Sequence, residues 1–448
     1  MPAQTHALAT PKPLDGALLA LPSLFDVRRN KLRWIVLGLI SSMFFITFLD
    51  KAVISSTAPL IAAEFKIDKT SMGAIFSAFV IASAIGQIPA GWLTDRIGPR
   101  RTLSGCVTLW SLATLLTGLA SGFFAFCAVR FLTGLFESAA FPGGTRALVP
   151  WFGRSERGFV QGAPHLFGRF ATAIVPLASV SVSAAWGWRG VFYVFGVLGL
   201  VWTVGFWRLY RDCPADHPSI TVSELASAAD GAPSVAAERS ATPWRALFQS
   251  RTSWGLIIGS AAYTYCIFFY TTWLPTYLVS HRGMSLGQMG VFASLPLLAG
   301  MAGDVCGGLL SDAIFKRTGR LGLARKAVVV PSFLLAAAAL IPAAMADNAY
   351  ASVGCLAASL FFMELMTGPW WAVPSDVAGA HAGTLAGIMN MAANVAGAIS
   401  PFVFGVLAQN DQWTMPFVIS AVILIAGAVA WIVLVDPATP IVTETADA

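Results

Sequence analysis

Residues 34–62 read WIVLGLISSMFFITFLDKAVISSTAPLIA. At about 1.5 Å per residue this run crosses a bilayer as a helix. Yet Asp50 and Lys51 stand side by side near its middle. A charge at that depth costs about 2.5–3.5 kcal/mol on insertion scales, so each should face a wet interior and have a partner there. Neighbours in sequence do not face each other on a helix, so the pair is not expected to neutralise itself.

Working outward, eleven more apolar blocks follow, near 71–93, 102–121, 123–149, 159–184, 190–209, 253–279, 286–311, 327–346, 351–374, 384–408 and 414–435. Inside lipid every backbone N–H and C=O must be paired within the protein, and no stretch alternates like a barrel strand. The predicted fold is therefore an all-α membrane protein with twelve transmembrane helices. Composition agrees: 56% of the 448 residues are hydrophobic and 11% are charged, against about 25% charged in a soluble chain. A soluble enzyme and a disordered chain are both excluded on that ground.

The net charge is +6, but the basic residues fall in short clusters between apolar blocks, a pattern of membrane topology and not of nucleic-acid binding. With both termini in the cytoplasm, twenty Lys and Arg lie on inner segments and four on outer loops, namely Lys66, Lys69, Arg189 and Arg282. The expected localisation is the bacterial inner membrane. The six cysteines show no metal-ligand spacing, and no catalytic triad, phosphate-cradling loop or haem motif is present. No enzyme activity, cofactor or metal is expected. The first 30 residues lack the order of a cleaved signal, so the block from Trp34 is read as the insertion signal.

The expected organisation is a tail at 1–33, a six-helix bundle at 34–209, a cytoplasmic linker at 210–252, a second bundle at 253–435 and a tail at 436–448. The linker holds the Ala/Ser/Pro-rich ADGAPSVAAERSATP. The bundles repeat one another. GWLTD (91–95) recurs as GLLSD (308–312), Glu137 before Phe141–Pro142 matches Glu364 before Gly368–Pro369, and GFVQGAPHLFGRFATAIVP (158–176) aligns with GTLAGIMNMAANVAGAISP (383–401), at offsets of 217, 227 and 225. Two such units related by an axis along the membrane normal are the plan of alternating-access carriers.

Cations at membrane depth are Lys51, Arg130 and Arg169. Arg130 and Glu137 lie seven residues apart on one face, with Cα atoms about 10 Å apart, too far to touch directly. Arg at depth suits a carboxylate. The repeat partner of Arg169 is the neutral Asn394. Asn390 and Asn394, one turn apart, can contact substrate or bond a neighbouring helix. Trp370, Trp371 and Trp273 can stack on ligand or mark an interface. Glu364 can carry protons or be structural, Asp304 can pack or gate, and His165 can pack or relay a proton.

The string GWLTDRIGPRR (91–101) resembles the loop signature of the major facilitator superfamily. FLDKAVISSTAPLI (48–61), VRFLTGLFESAAFPGGTRALVPWF (129–152) and ERGFVQG (156–162) resemble its anion:cation symporter branch, which includes sugar-acid and sialin-type carriers. The resemblance implies proton coupling at Asp50, Glu137 and Arg130. It implies substrate binding at Lys51, Trp370 and Asn390. The residues themselves add Arg169, Asn394 and Trp273 to the substrate set. Gly91, Asp95, Arg96, Gly98, Arg100, Arg101 and Asp312 form a candidate conformational latch, with Gly91 expected to let helix backbones approach. Two departures stand out. Lys51 replaces the usual Arg, and Gly168–Arg169 replaces a Gln-bearing stretch. They favour a dianion or a sulfonate. The expected function is a monomeric, proton-coupled importer of a small organic anion. The alternative is a proton-driven exporter of drugs or metabolites, although its usual Gly-Pro-rich motif is missing from GRFATAIVPLAS (168–179).

Overall fold

The computed structural model describes residues 31–152, 157–220, 244–378 and 381–441. The tails and most of the linker, with Lys12, Arg28, Arg29, Arg154 and Arg239 of the topology count, lie outside the described residues.

Long helices form wherever the sequence is continuously apolar. They are α1 (Lys31–Phe65), α2 (Lys69–Ile97), α3 (Pro99–Thr117), α4 (Phe123–Glu137), α5 (Ala140–Leu148) and α6 (Arg157–Leu209) in the first half. The second half holds α7 (Trp244–Gln249), α8 (Arg251–Phe268), α9 (Leu286–Thr318), α10 (Leu321–Met345), α11 (Ala349–Leu365), α12 (Thr367–Ala378), α13 (Ala382–Gln409) and α14 (Met415–Leu434). Residues 269–281 continue α8 through two wide π-helical turns, Phe269–Trp273 and Tyr277–His281.

Ten helical spans among the described residues are long and apolar enough to cross a membrane. The difference from twelve has two physical sources. The stretch Val160–Leu209 is a single span of 50 residues, about 75 Å of helix against a hydrocarbon core of about 30 Å. It breaks at Gly187, whose φ of 68° only glycine adopts without strain, and so makes two crossings. α3 opens on Arg100 and Arg101 and carries Thr102, Ser104, Thr108, Ser111, Thr114 and Thr117, which lower its hydropathy. It is held inside the half by α4 and α6.

The duplication is visible in packing. A Cβ on Gly86 of α2 would stand 2.8 Å from the Leu135 carbonyl oxygen of α4. A Cβ on Gly303 of α9 would stand 2.1 Å from that of Phe361 in α11. The glycines keep the repeat offset and the carbonyls they face keep it to within one residue, so each half closes one helix pair backbone to backbone at nearly the same place.

The halves meet along two seams, α2 on α13 and α6 on α9. Gly73 faces the Pro401 carbonyl, and its repeat mate Gly290 faces the Pro176 carbonyl. Lys69 adds two bonds, from its N–H to Gln409 Oε1 (2.9 Å) and from Nζ to the Ala408 carbonyl (3.0 Å). Ser77 donates to the Ala398 carbonyl at 2.7 Å. One end of the molecule is thereby closed. There, Glu64 holds Arg189 through Nη2 (2.7 Å) and Nη1 (3.1 Å), and accepts the Trp188 indole N–H at 2.7 Å.

Candidate functional site

Helix α1 carries Asp50 and Lys51 inward, and α4 ends at Glu137, so the three meet at the centre of the first half. Lys51 Nζ lies 3.3 Å from Glu137 Oε1. It also sits 4.7 Å from the centre of the Phe141 ring and 5.0 Å from that of Phe48, an aromatic box that favours a cation. Glu137 is 2% exposed and Asp50 is 1% exposed, whereas the Lys51 side chain keeps 28% of its surface open. The lysine is the accessible member. Arg130, also buried, stacks at 4.3 Å over the Phe79 ring and donates to the Asp50 carbonyl oxygen at 3.4 Å. Among the described residues neither carboxylate has a hydrogen bond of ordinary geometry: Glu137 is held by the Lys51 ion pair alone and Asp50 faces Thr114, while Arg130 Nε has no acceptor. Buried acids left this way are costly unless a proton or a ligand completes them.

A second cluster spans the halves. Arg169 of α6 places Nε 3.4 Å from Asp304 Oδ2 of α9 and donates from Nη1 to Glu364 Oε2 of α11. Tyr263 of α8 donates its hydroxyl to Glu364 Oε1 at 2.8 Å. Thr367 bonds Asp304 and the Glu364 carbonyl oxygen. Trp370 lies edge-on to Tyr263 at 5.4 Å; it is 2% exposed and its indole N–H has no partner. His165, one turn before Arg169, packs against Phe141 at 5.7 Å and Phe44 at 5.1 Å. The two clusters are therefore neighbours joined through Phe141 and His165.

The structure gathers Asp50, Lys51, Arg130, Glu137 and Arg169 with Trp370. It places others elsewhere. Trp273 is fully buried; it gives its N–H to the Pro401 carbonyl at 2.9 Å and meets Phe76 of α2 edge-on. It packs the α2–α13 seam and does not face the ion clusters. Asn390 is exposed and Asn394 half-buried, and neither joins the two clusters.

At the far end the expected latch is a set of ties within each half. Asp95 pairs with Arg146 at 3.6 Å. Gly98, with φ 85°, turns the chain so that the Arg100 N–H reaches Asp212 Oδ1 at 2.8 Å, while the Arg100 guanidinium bonds the Trp207 carbonyl at 2.6 Å and stacks on its ring. Arg96 lies over Trp92, and Arg101 is exposed. In the second half Asp312 is 4.0 Å from Arg325, which also pairs with Asp376 at 3.2 Å. Gly91 corrects the expectation of close helix approach. An added Cβ there would meet only Pro142 Cβ at 3.9 Å, an ordinary contact; Gly86, and Gly134 facing the Phe79 carbonyl, are the glycines on which the α2–α4 approach depends.

Sequence reasoning missed Tyr263, Thr367, Phe48, Phe79 and Phe141. Tyr263 is one of four tyrosines in the apolar block 253–279, with Tyr265, Tyr270 and Tyr277, and nothing in the sequence singles it out. Aromatic rings in an apolar run carry no signal, because lipid-facing and site-facing phenylalanines look alike.

Residues 40–401 match the family model described as Major Facilitator Superfamily. The chain belongs to that superfamily. The relatives are organic-anion carriers, which places it in the anion:cation symporter branch, a transporter and not an enzyme. It is 40% identical to the probable sulfoacetate transporter SauU of Cupriavidus necator, over 90% of this chain and 94% of that one. It is 31% identical to the probable galactarate/D-glucarate transporter GudP of Bacillus subtilis, over 93% and 95%. Among solved structures, an inward-facing, unoccupied bacterial homologue of the lysosomal transporter Spinster superposes with a TM-score of 0.72 at 16% identity, over 89% of this chain and 96% of that one. That likeness shows the overall fold.

Proposed function

We propose that this transporter is a proton-coupled symporter that imports a small organic anion, a sulfonate or sugar acid, across the bacterial inner membrane by alternating access. The observation that carries the reading is the Lys51–Glu137 pair. A half-open lysine is occupied by a buried carboxylate whose oxygens bond nothing else. A proton on Glu137 removes that competitor, and the substrate anion takes its place on Lys51. Asp50 and Arg130 form the second acid–cation couple and accept the second proton. Arg169 and Trp370 complete the substrate set. The likeness to a probable sulfoacetate transporter and the two cations of the neighbouring clusters, Lys51 and Arg169, support a dianion.

The positive-inside rule puts the Glu64–Lys69 end outside, so the conformation described is closed to the outside. The loop ties at Asp95 and Asp312 hold each half rigid while the halves rock. Two protons entering with a monoanion carry net charge, worth about 2.3 kcal/mol per charge at 100 mV. The test is uptake of radiolabelled sulfoacetate into proteoliposomes under an imposed pH gradient. Wild type accumulates it, and Glu137→Gln exchanges it across the membrane but does not concentrate it. Uphill accumulation by Glu137→Gln overturns the coupling role.

A further inference from the structure

Glu364 is the repeat mate of Glu137, and the two halves use it alike. Each glutamate closes its helix, α4 ending at Glu137 and α11 at Leu365. Each is buried, and each holds a cation that faces the centre: Lys51 in one case, Arg169 in the other. The difference is that Arg169 belongs to the opposite half and is held by two carboxylates, Glu364 and Asp304. Trp370, edge-on to the Tyr263 that bonds Glu364, keeps a buried indole N–H with no acceptor among the described residues.

Resting on the carrier reading above, we propose that Arg169 and Trp370 form a second anion subsite for the far charged group of a dianion, and that Glu364 is the tethered carboxylate that occupies it until protonated.

Charge bookkeeping supports this. Asp50, Glu137, Asp304 and Glu364 face Lys51, Arg130 and Arg169, with Tyr263 and His165 uncharged, and the ionised set carries one net negative charge. Two protons on Asp50 and Glu137 with a monoanion leave it neutral. A dianion leaves it one charge short of neutral, and buried net charge is costly. A third proton closes the gap. Glu364 is the acid for it, because its protonation also vacates the guanidinium the second anionic group needs. The groups facing Glu364 are Arg169 from α6, Tyr263 from α8, Thr367 from α12 and, through Arg169 and Thr367, Asp304 from α9. The Tyr263 hydroxyl stays to hold Glu364 once the arginine has left it.

The experiment compares two probes of one size: sulfoacetate, with a carboxylate and a sulfonate, and isethionate, where a hydroxymethyl replaces the carboxylate. Affinities of the full-length purified protein are measured between pH 6 and 9, where neither probe titrates. If a dianion binds with one extra proton, the sulfoacetate-to-isethionate affinity ratio of wild type falls about tenfold per pH unit on the alkaline limb. In Glu364→Gln, which keeps the shape and the Tyr263 bond, the ratio is flat with pH. Reversal potentials of wild-type proteoliposomes give an independent reading, one more proton per sulfoacetate than per isethionate. A Glu364→Gln ratio with the wild-type slope, or equal proton counts for the two probes, overturns the proposal and leaves the carrier reading standing. Failure of wild type to bind either probe overturns the proposal together with the sulfonate reading of the substrate.

Discussion

Replacing Gly73 by alanine tests the seam that closes one end of the carrier. An ideal Cβ at position 73 would lie 2.5 Å from the Pro401 carbonyl oxygen and 3.1 Å from Phe402 Cα, where ordinary contact begins at 3.4 Å. Both obstacles are backbone, so no side chain can swing aside, and α2 and α13 must part by about 0.9 Å. Overpacking of this kind costs about 1–3 kcal/mol. The gain of about 0.5–1 kcal/mol from replacing a helical glycine applies whether the seam is closed or open and cancels in their ratio. The overlap exists only when the seam is closed, so the closed-to-open ratio falls by about 5- to 150-fold. At the repeat mate, Gly290→Ala meets Val180 Cγ2 at 3.0 Å and the Pro176 oxygen at 3.3 Å. A methyl group can yield there, and the shift is smaller. Gly38→Ala, with nothing within 4 Å, is the control. Spin labels at the exposed positions 63 and 410, with the exposed Cys213 and Cys306 replaced by serine, report the separation by pulsed dipolar spectroscopy. The order of long-distance population is Gly73→Ala, then Gly290→Ala, then Gly38→Ala. If Gly73→Ala matches the control, or Gly290→Ala exceeds Gly73→Ala, the seam is not the closing element.

Lys51→Gln removes a charge-assisted contact to the anion, worth about 1.5–3 kcal/mol, and lowers sulfoacetate affinity by roughly 10- to 150-fold in calorimetry; unchanged affinity removes Lys51 from the site. Gly98→Ala places a side chain at φ 85° and 2.5 Å from Asp212 Oδ2; it costs about 1–2 kcal/mol and lowers the melting temperature, whereas Gly105→Ala, with nothing within 4 Å, does not. Asp68 caps α2, accepting from the Ser71 N–H at 2.8 Å, and that bond holds its carboxyl below the usual 3.8. A lowered folded value means the stabilisation is complete above the ordinary carboxylate range and is lost as pH falls through the folded value. Asp68→Ala therefore costs about 1 kcal/mol at pH 7, and the gap in melting temperature from wild type narrows below about pH 4.

Hydropathy, charge and duplication are written along the chain, and they determined the membrane class, the places of the crossings, the two matched halves and the unusual ions. Each is a local property: a run of apolar residues in lipid must be helical, and a charge within it must turn inward. Pairing is a different matter. Lys51 stands next to Asp50 in sequence yet meets Glu137, and Arg169 reaches Glu364 and Asp304 in the other half. Trp273 read as a ligand contact and is a seam residue, and Gly91 read as a close approach where Gly86 and Gly134 make it. These outcomes depend on how far each helix rotates about its axis and on how two bundles lean together. They are set by packing between residues up to hundreds of positions apart, and only the tertiary structure decides them.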